Sequence, residues 1–181
     1  MKHTSSGWGW LLITIHWLTA LTVFSMFAAG LWMVDLNYYS DWYKTAPHWH
    51  KSIGLLLAAL TLFRVVWRLV GRRPQKFGSK LEQRVASLAH LFIYLLLFTL
   101  FLSGYLISTA DGRAIDVFNW FTVPSLGELI DDQEDIAGSI HFYVAWALIG
   151  LVSLHALAAL KHHFFDKDAT LRRMLGQKQT P

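Results

Sequence analysis

Three long runs without a charged residue constrain the fold of this chain more than any other feature of its sequence. Residues 10–34, 85–110 and 136–160 contain no Asp, Glu, Lys or Arg, and a fourth apolar run, 52–70, is interrupted only by two arginines near its end. Each of the first three exceeds the roughly 20 residues that a helix needs to cross the hydrocarbon core of a bilayer. The pattern therefore predicts four transmembrane helices.

The composition agrees with a membrane protein. Hydrophobic residues make up 54% of the chain and charged residues 15%, against roughly 25% charged residues in a soluble domain. The absence of cysteine excludes disulfides, cysteine-held iron–sulfur clusters and covalent c-type haem attachment. We predict an all-α membrane protein, a four-transmembrane-helix bundle in a single domain over residues 1–181, with helices at about 10–34, 50–70, 83–110 and 136–163 and a tail over 164–181.

The charges between these helices predict the orientation in the membrane. One side of the bundle holds both chain ends and the connection between the second and third helices, with thirteen Lys and Arg against three acids; the other side has three against nine. An excess of Lys and Arg marks the cytoplasmic side, so both termini and the tail are predicted to be cytoplasmic. The net charge of +4 thus reflects membrane topology, and we expect no nucleic-acid partner.

Two short segments outside the spans carry structural expectations. The motif "DVFNWF", within the acidic 111–135 connection, favours a short helix lying flat at the membrane interface. The motif "KDATLRRML" favours a short cytoplasmic helix on anionic lipid headgroups.

Histidines inside the apolar runs are the candidate functional residues. Helix four carries His141, His155 and His162, and spacings of 14 and 7 residues leave angular offsets of only about 40° and 20° between them. The three imidazoles therefore share one face. Ionisable residues at membrane depth normally face a bundle interior or a transport pathway.

Matching depths predict two histidine pairs. His16 in helix one lies at the level of His155, and His50 at the start of helix two lies at the level of His141. Paired imidazoles from facing helices can hold a haem iron from both sides, so these four residues are predicted axial ligands of two stacked haems. We prefer His50 to His48, because the two point to different sides and His48 precedes the expected helix start. Gly54, four residues after His50, and the glycines 30, 104 and 150 are candidates for close approach of a porphyrin.

Arg64 lies fourteen residues after His50, at the level of the inner pair. Two interpretations stay open from the sequence: the guanidinium pairs with a haem propionate, or it extends to the membrane boundary with its aliphatic stem in lipid.

Segments from all four helices resemble the bacterial cytochrome b561 family: "TIHWLTA", "HKSIG…FRVVWR", "LAHLFIYLLL" and "SLHALAALKHHFFDKDATLRRM". The resemblance implies two haem b groups in the bacterial inner membrane. It assigns His16 and His155 to the cytoplasmic haem, and His50 and His141 to the periplasmic one. It also implies superoxide oxidase-like activity, in which electrons from periplasmic superoxide pass to ubiquinone.

The resemblance further implies a ubiquinone pocket formed by Thr14, His90 and His162. These residues are expected at one depth beside the inner haem, with His90 and His162 as the catalytic groups that supply protons, since imidazole titrates near neutral pH. On the donor side, Lys51 beside His50 is the candidate positive charge for superoxide, although the surrounding acids oppose long-range attraction.

Three functional hypotheses follow. The first is a dihaem oxidoreductase that links superoxide, or another periplasmic electron donor, to membrane ubiquinone. The second is a cytochrome b electron-carrier subunit for a dehydrogenase, a hydrogenase or a periplasmic redox protein. The third is a histidine-lined metal or proton transporter, against which stands the ~21 Å of apolar helix between the two histidine levels.

Overall fold

The computed structural model of the protein describes residues 9–70 and 78–177. Both chain ends, whose cytoplasmic location the charge pattern predicts, and the basic turn at 71–77 lie outside the described residues. The elements below therefore refer to the two described ranges.

Four long helices form the molecule: α1 (Trp10–Val34), α2 (Thr45–Val70), α3 (Lys80–Thr109) and α4 (Gln133–Phe164). All four are long and apolar enough to cross a membrane, which confirms the predicted helix count. Large apolar side chains cover the outside of the bundle, among them Leu21 at 68% and Leu154 at 64% exposure. Lipid is the solvent that such a surface requires.

The helices extend beyond the apolar runs because polar residues can continue a helix past the bilayer core. α3 begins at Lys80 with a capping box: the Ser79 backbone N–H donates to the Glu82 carboxylate at 2.8 Å, and the Glu82 N–H donates to the Ser79 hydroxyl at 3.3 Å. α2 begins at Thr45, five residues before its predicted start. Pro47 lies in its first turn, where a missing N–H costs nothing. The expectation that His48 precedes the helix is therefore wrong.

The two ends of the bundle differ in charge. We call the end formed by the start of α1, the end of α2, the start of α3 and the end of α4 the basic end, and the opposite end, which carries the 111–132 connection, the acidic end. At the basic end the Lys161 ammonium, near the end of α4, lies 3.2 Å from the Glu82 carboxylate at the start of α3. A short helix, α5 (Thr170–Met174), lies there within the segment where a tail helix is predicted. The Trp17 indole N–H of α1 donates to the Met174 carbonyl at 2.7 Å, so the tail returns to the bundle.

At the acidic end, the 111–135 connection contains a β-hairpin instead of the predicted short helix. Strands β1 (Ile115–Val117) and β2 (Phe121–Val123) pair antiparallel. In β1, Ile115 and Val117 are buried and Asp116 is exposed, which is the two-residue period of a strand. Phe118 and Asn119, with φ of 48° and 58°, make the tight turn. The predicted helix over "DVFNWF" is therefore wrong, because all three aromatic residues of the motif belong to this turn and its return strand.

The rest of this connection also folds onto the helix ends. The Tyr105 hydroxyl donates to the Pro124 carbonyl at 2.8 Å. The Gln133 side chain, 1% exposed, donates to the Leu106 carbonyl at 3.0 Å and accepts from the Leu129 N–H at 2.8 Å. Residues 111–132 therefore form a folded cover over the acidic end of the bundle.

Candidate functional site

The structure brings the four predicted haem ligands together in two pairs at two levels of the bundle. The His16 and His155 rings have centroids 6.4 Å apart, with ring planes at 74°. The His50 and His141 centroids are also 6.4 Å apart, with planes at 66°. Each pair joins α4 to a different helix, as the depth argument predicts.

The spacing within each pair fits a metal ion held from both sides. An imidazole nitrogen binds a first-row metal at about 2 Å, and the ring centre lies roughly 1 Å further, so two opposed rings have centres about 6 Å apart. The observed 6.4 Å matches this geometry for both pairs. The four imidazoles are therefore placed as axial ligands of two haem irons would be, and haem supplies one-electron chemistry when bound.

The surroundings of the acidic-end pair favour ligation by one ring nitrogen of His141. Its Nδ1 lies 3.2 Å from the Leu100 carbonyl and 3.1 Å from the Ser103 hydroxyl oxygen. That hydroxyl donates its own hydrogen to the Thr99 carbonyl at 2.8 Å. The Nδ1–H group therefore has two acceptors. Because a neutral imidazole carries one proton, Nε2 is then unprotonated and can bind a metal. Sequence reasoning missed Ser103, although a polar residue directly before a glycine in an apolar helix is a recognisable signal.

His50, the partner of His141, has a buried Nδ1 with no hydrogen-bond partner among the described residues. A cavity of about 430 Å³ opens beside it. Its lining is apolar apart from His50 itself and includes Met26, Trp32, Met33, Trp42 and Trp49. An unpaired buried nitrogen next to an apolar space is the environment that a flat hydrophobic group would complete.

Two glycines lie beside the rings of His50 and His141, and one of them allows a close approach of the backbone. A Cβ at Gly104 would lie 3.2 Å from His141 Cε1, and a Cβ at Gly30 would lie 3.5 Å from His50 Cε1. A Cβ at Gly54 would meet only the end of Met26, and one at Gly150 would meet nothing within 4 Å. Close packing against His141 therefore explains Gly104, whereas a Cβ at Gly30 would make only an ordinary van der Waals contact with His50.

Arg64 lies beside the pair formed by His16 and His155. Its guanidinium is 3.0 Å from His16 Nδ1 and 5.9 Å from the Tyr94 ring centre. Because a guanidinium carries only donors, it can pair with that nitrogen only while the nitrogen holds no proton. The contact places the guanidinium inside the bundle beside His16, which argues against the interpretation that it extends to the membrane boundary.

The predicted quinone residues are brought together only in part. The His90 ring centre is 5.1 Å from that of His155, and His90 Nδ1 lies 2.7 Å from the Ala86 carbonyl oxygen. His162, seven residues after His155 on the same helix, lies about 10 Å nearer the basic end, so these residues do not share one depth. Thr14 is exposed on α1, on a side nearly opposite to that of His16.

Lys51, the predicted donor-side cation, is half-buried beside the acidic-end pair. Arg113 hydrogen-bonds the Asp111 carboxylate, and this contact, with a smaller contribution from Lys51, holds the pKa of Asp111 below its usual range. The positive charge of Lys51 therefore helps to stabilise the ionised form of Asp111.

Four membrane-spanning helices that place imidazole pairs at two levels have the architecture of a membrane cytochrome that transfers electrons. The chain belongs to the prokaryotic cytochrome b561 family, whose model matches residues 7–177. It is accordingly a multi-pass protein of the bacterial inner membrane, and membership of this family implies b-type haem.

Three relatives align over almost the whole chain. The chain is 47% identical over 180 residues to "Cytochrome b561 homolog 2" of Escherichia coli (strain K12), an alignment that covers 98% of this chain and 96% of the relative. It is 30% identical over 177 residues to "Probable superoxide oxidase CybB" of Yersinia pestis, covering 93% and 96%. It is 26% identical over 172 residues to "Cytochrome b561 homolog 1" of Escherichia coli (strain K12), covering 92% and 96%.

Proposed function

We propose that this cytochrome carries electrons across the inner membrane through two b haems, from a periplasmic donor at the acidic end to ubiquinone near the basic end. One observation carries the proposal: two histidine pairs with the same 6.4 Å centroid spacing lie at different levels of one bundle. In this proposal His50 and His141 hold the periplasmic haem, and His16 and His155 hold the cytoplasmic one, with Arg64 on a propionate.

The proposed donor is superoxide. Each superoxide gives up one electron and leaves as dioxygen, so two superoxides supply the two electrons that, with two protons, convert ubiquinone to ubiquinol. The name of the Yersinia pestis relative, at 30% identity, supports this donor. Lys51 is the proposed cation at the entrance, because it lies next to His50 in the chain and is half-buried.

The proposed ubiquinone site lies between His90 and His162, on the basic-end side of the proposed haem at His16 and His155. His90 contacts His155, and its Nδ1 is engaged by the Ala86 carbonyl, which leaves Nε2 for a quinone oxygen. His162 lies about two turns closer to water. Thr14, exposed on α1, is the proposed contact on the side from which a lipid-dissolved quinone arrives.

The test combines a spectrum with a turnover measurement. The purified protein should contain two haem b groups per chain and show a reduced-minus-oxidised b-type spectrum. With an enzymatic superoxide source and ubiquinone it should form ubiquinol, and superoxide dismutase should abolish this product. Reduced protein whose haems are not reoxidised by ubiquinone would contradict the proposal.

The exposed acids of the 111–135 connection favour a second candidate, in which the donor is a basic periplasmic redox protein. Asp116, Glu128 and Asp131 are among these exposed acids. Opposite charge speeds encounter between redox partners, so salt should slow haem reduction by such a donor. A stoichiometric co-purifying partner, with no response to superoxide, would favour this candidate. Membership of a cytochrome family argues against the transporter hypothesis.

A further inference from the structure

The two histidine pairs have the same ring spacing, but the groups around them differ. Both pairs have ring centroids 6.4 Å apart. Two irons with the same axial ligands have similar reduction potentials unless groups outside the ligand set shift one relative to the other. Hydrogen bonds to the ligands and fixed charges near the iron are groups of this kind. The surroundings of each pair therefore determine which haem takes up an electron more readily.

At the acidic-end pair, hydrogen bonds make His141 a stronger electron donor to a metal. The Leu100 carbonyl, 3.2 Å from His141 Nδ1, can only accept, so the Nδ1–H group donates to it. The Ser103 hydroxyl oxygen lies 3.1 Å from the same nitrogen, and Ser103 is 3% exposed. An imidazole that donates Nδ1–H to oxygen acceptors is more basic at Nε2. A more basic ligand stabilises the oxidised iron, so these contacts lower the reduction potential of the acidic-end haem.

The folded cover adds negative charge at the same end. Lys51, half-buried next to His50, acts in the opposite sense, but its charge is partly offset by its interaction with Asp111. Because the acids of the cover lie near water, salt and solvent screen them, and we assign the larger effect to Ser103 and Leu100. The cover at 111–132 has five acids against Arg113, namely Asp111, Asp116, Glu128, Asp131 and Asp132.

The basic-end pair instead has a cation within the membrane-spanning part of the bundle. The Arg64 guanidinium lies 3.0 Å from His16 Nδ1. The four apolar runs contain no Asp or Glu that could neutralise it at this depth, and a charge away from bulk water is screened little. A positive charge near an iron favours the less positive, reduced state, so Arg64 raises the potential of the basic-end haem. When Arg64 pairs with a propionate, it cancels a negative charge, which shifts the potential in the same direction.

We propose that Ser103, acting through His141, and Arg64 set a step in reduction potential between the two haems, with the acidic-end haem lower and the basic-end haem higher. This inference rests on the two haems of the proposed function. One electron passes from the acidic-end iron, which is oxidised from Fe(II) to Fe(III), to the basic-end iron, which is reduced from Fe(III) to Fe(II). No bond or proton moves in this step. The bundle itself thus favours electron flow towards the ubiquinone side.

The test is a potentiometric titration of the purified protein, followed by its haem absorbance. His50→Ala, which should keep only the basic-end haem, and His16→Ala, which should keep only the acidic-end haem, assign the two potentials. In the wild type we expect two one-electron steps, with the basic-end haem reduced first as the applied potential falls.

Two substitutions should narrow the step from opposite sides. Ser103→Ala should raise the potential of the acidic-end haem and lower the equilibrium constant for transfer between the haems roughly 5-fold, the effect of one hydrogen bond. Arg64→Gln should lower the potential of the basic-end haem and reduce the same constant about 10-fold, the effect of one poorly screened charge.

Thr99→Ala is the matched control for Ser103→Ala. The exposed Thr99 hydroxyl donates to the Leu95 carbonyl at 2.9 Å, which is the same type of bond, to the residue four positions earlier, that Ser103 makes. Thr99→Ala should leave both potentials unchanged. Haem content is measured on every variant. Ser103→Thr and Arg64→Lys, which keep the hydroxyl and the charge, should restore the wild-type step even where Ser103→Ala or Arg64→Gln binds less haem.

The outcomes separate this inference from the proposed function. Equal potentials in the wild type, or a lower potential at the basic end, would overturn the inference, and so would unchanged potentials in both Ser103→Ala and Arg64→Gln. Ubiquinol formation by such a protein would leave the proposed function standing. A protein with the expected order of potentials that forms no ubiquinol would overturn the proposed function and leave the potential step in place.

Discussion

At the scale of single residues, the partner of the second ring nitrogen distinguishes the histidines of this bundle. His141 Nδ1 has two oxygen atoms within hydrogen-bond distance and His90 Nδ1 has one, whereas His162 Nδ1 makes no hydrogen bond among the described residues, although two carboxylates lie within 3.0 Å of it. His16 Nδ1 instead faces the Arg64 guanidinium. A ring whose Nδ1–H is engaged presents Nε2 in a fixed direction, and this is what a ligand or a proton donor requires.

Replacement of His50 should remove one haem, whereas replacement of His48 should not. His50 has its ring centroid 6.4 Å from that of His141, while the His48 ring packs at 6.4 Å against Phe118 of the hairpin. We expect about one haem b per chain in His50→Ala and two in His48→Ala, measured by haem quantitation and the reduced-minus-oxidised spectrum. Equal loss in the two variants would contradict this ligand assignment.

A side chain at Gly104 should displace His141. The added Cβ would lie 3.2 Å from His141 Cε1, and a branched side chain demands still more room. We expect Gly104→Val to lower haem content towards one per chain or to shift the potential of the periplasmic haem. Gly150→Val is the matched control, since a Cβ there meets nothing within 4 Å and the helix-propensity cost is the same. Titration of both haems in both variants checks the prediction.

At the scale of elements, the long helices follow from apolar content and the hairpin follows from contacts with other elements. The two short strands have three residues each, and a hairpin of this size is not stable alone. Ser52 of α2, fully buried, accepts a hydrogen bond from the Phe118 N–H at 3.1 Å and donates to the His48 carbonyl at 2.8 Å. Ser52 thus joins the hairpin to the ligand-bearing helix two residues after His50.

Removal of the Ser52 hydroxyl should loosen the hairpin and leave the bundle intact. In Ser52→Ala the part-buried Phe118 N–H loses its acceptor, which costs about 1–3 kcal/mol and corresponds to roughly 5- to 150-fold faster opening. Hydrogen exchange at residues 115–123 should accelerate by that factor, while amides in the middle of α3 keep their rates. Ser40→Ala, in an exposed turn, is the control. Unchanged exchange in the hairpin would refute the anchoring role.

At the scale of the whole molecule, the two ends of the bundle are chemically distinct, and this asymmetry predicts the orientation of the protein in the membrane. The described residues of the basic end include six cations against three acids, and the acidic end carries the folded cover; the six cations are Lys80, Arg84, Lys161, Lys167, Arg172 and Arg173, and the three acids are Glu82, Asp166 and Asp168. Lys and Arg are retained on the cytoplasmic side during insertion, so electron entry is expected at the periplasmic acidic end. Proton uptake is expected at the opposite end.

Single cysteines should report this orientation directly, because the native chain contains none. Asp41 and Lys167 are both exposed, at the acidic and the basic end respectively. In intact spheroplasts a membrane-impermeant maleimide should label Asp41→Cys and leave Lys167→Cys unlabelled. Permeabilised membranes should show labelling of both. The reverse pattern would invert the proposed direction of electron flow.

The number of membrane-spanning helices and the face that the histidines of α4 share could both be predicted from the amino-acid sequence. Both depend on properties local to one helix: a length of apolar residues that exceeds the bilayer core, and a rotation of 100° per residue. The predicted bounds of α1, 10–34, agree with the structure because the charge-free run begins and ends at the same residues as the helix. α2 begins at Thr45, before its predicted start at residue 50, because a helix can continue beyond the hydrocarbon core of the bilayer.

Contacts between side chains of different elements could not be predicted from the sequence and depend on the packing of the whole bundle. The contact of Arg64 with His16 joins residues 48 apart, and the contact of the Phe118 N–H with Ser52 joins residues 66 apart. The two carboxylates on His162 depend on a chain reversal at Lys167, a residue type that rarely adopts positive φ. Periodicity within one helix cannot encode such contacts, because they depend on the rotation and depth of every helix at once.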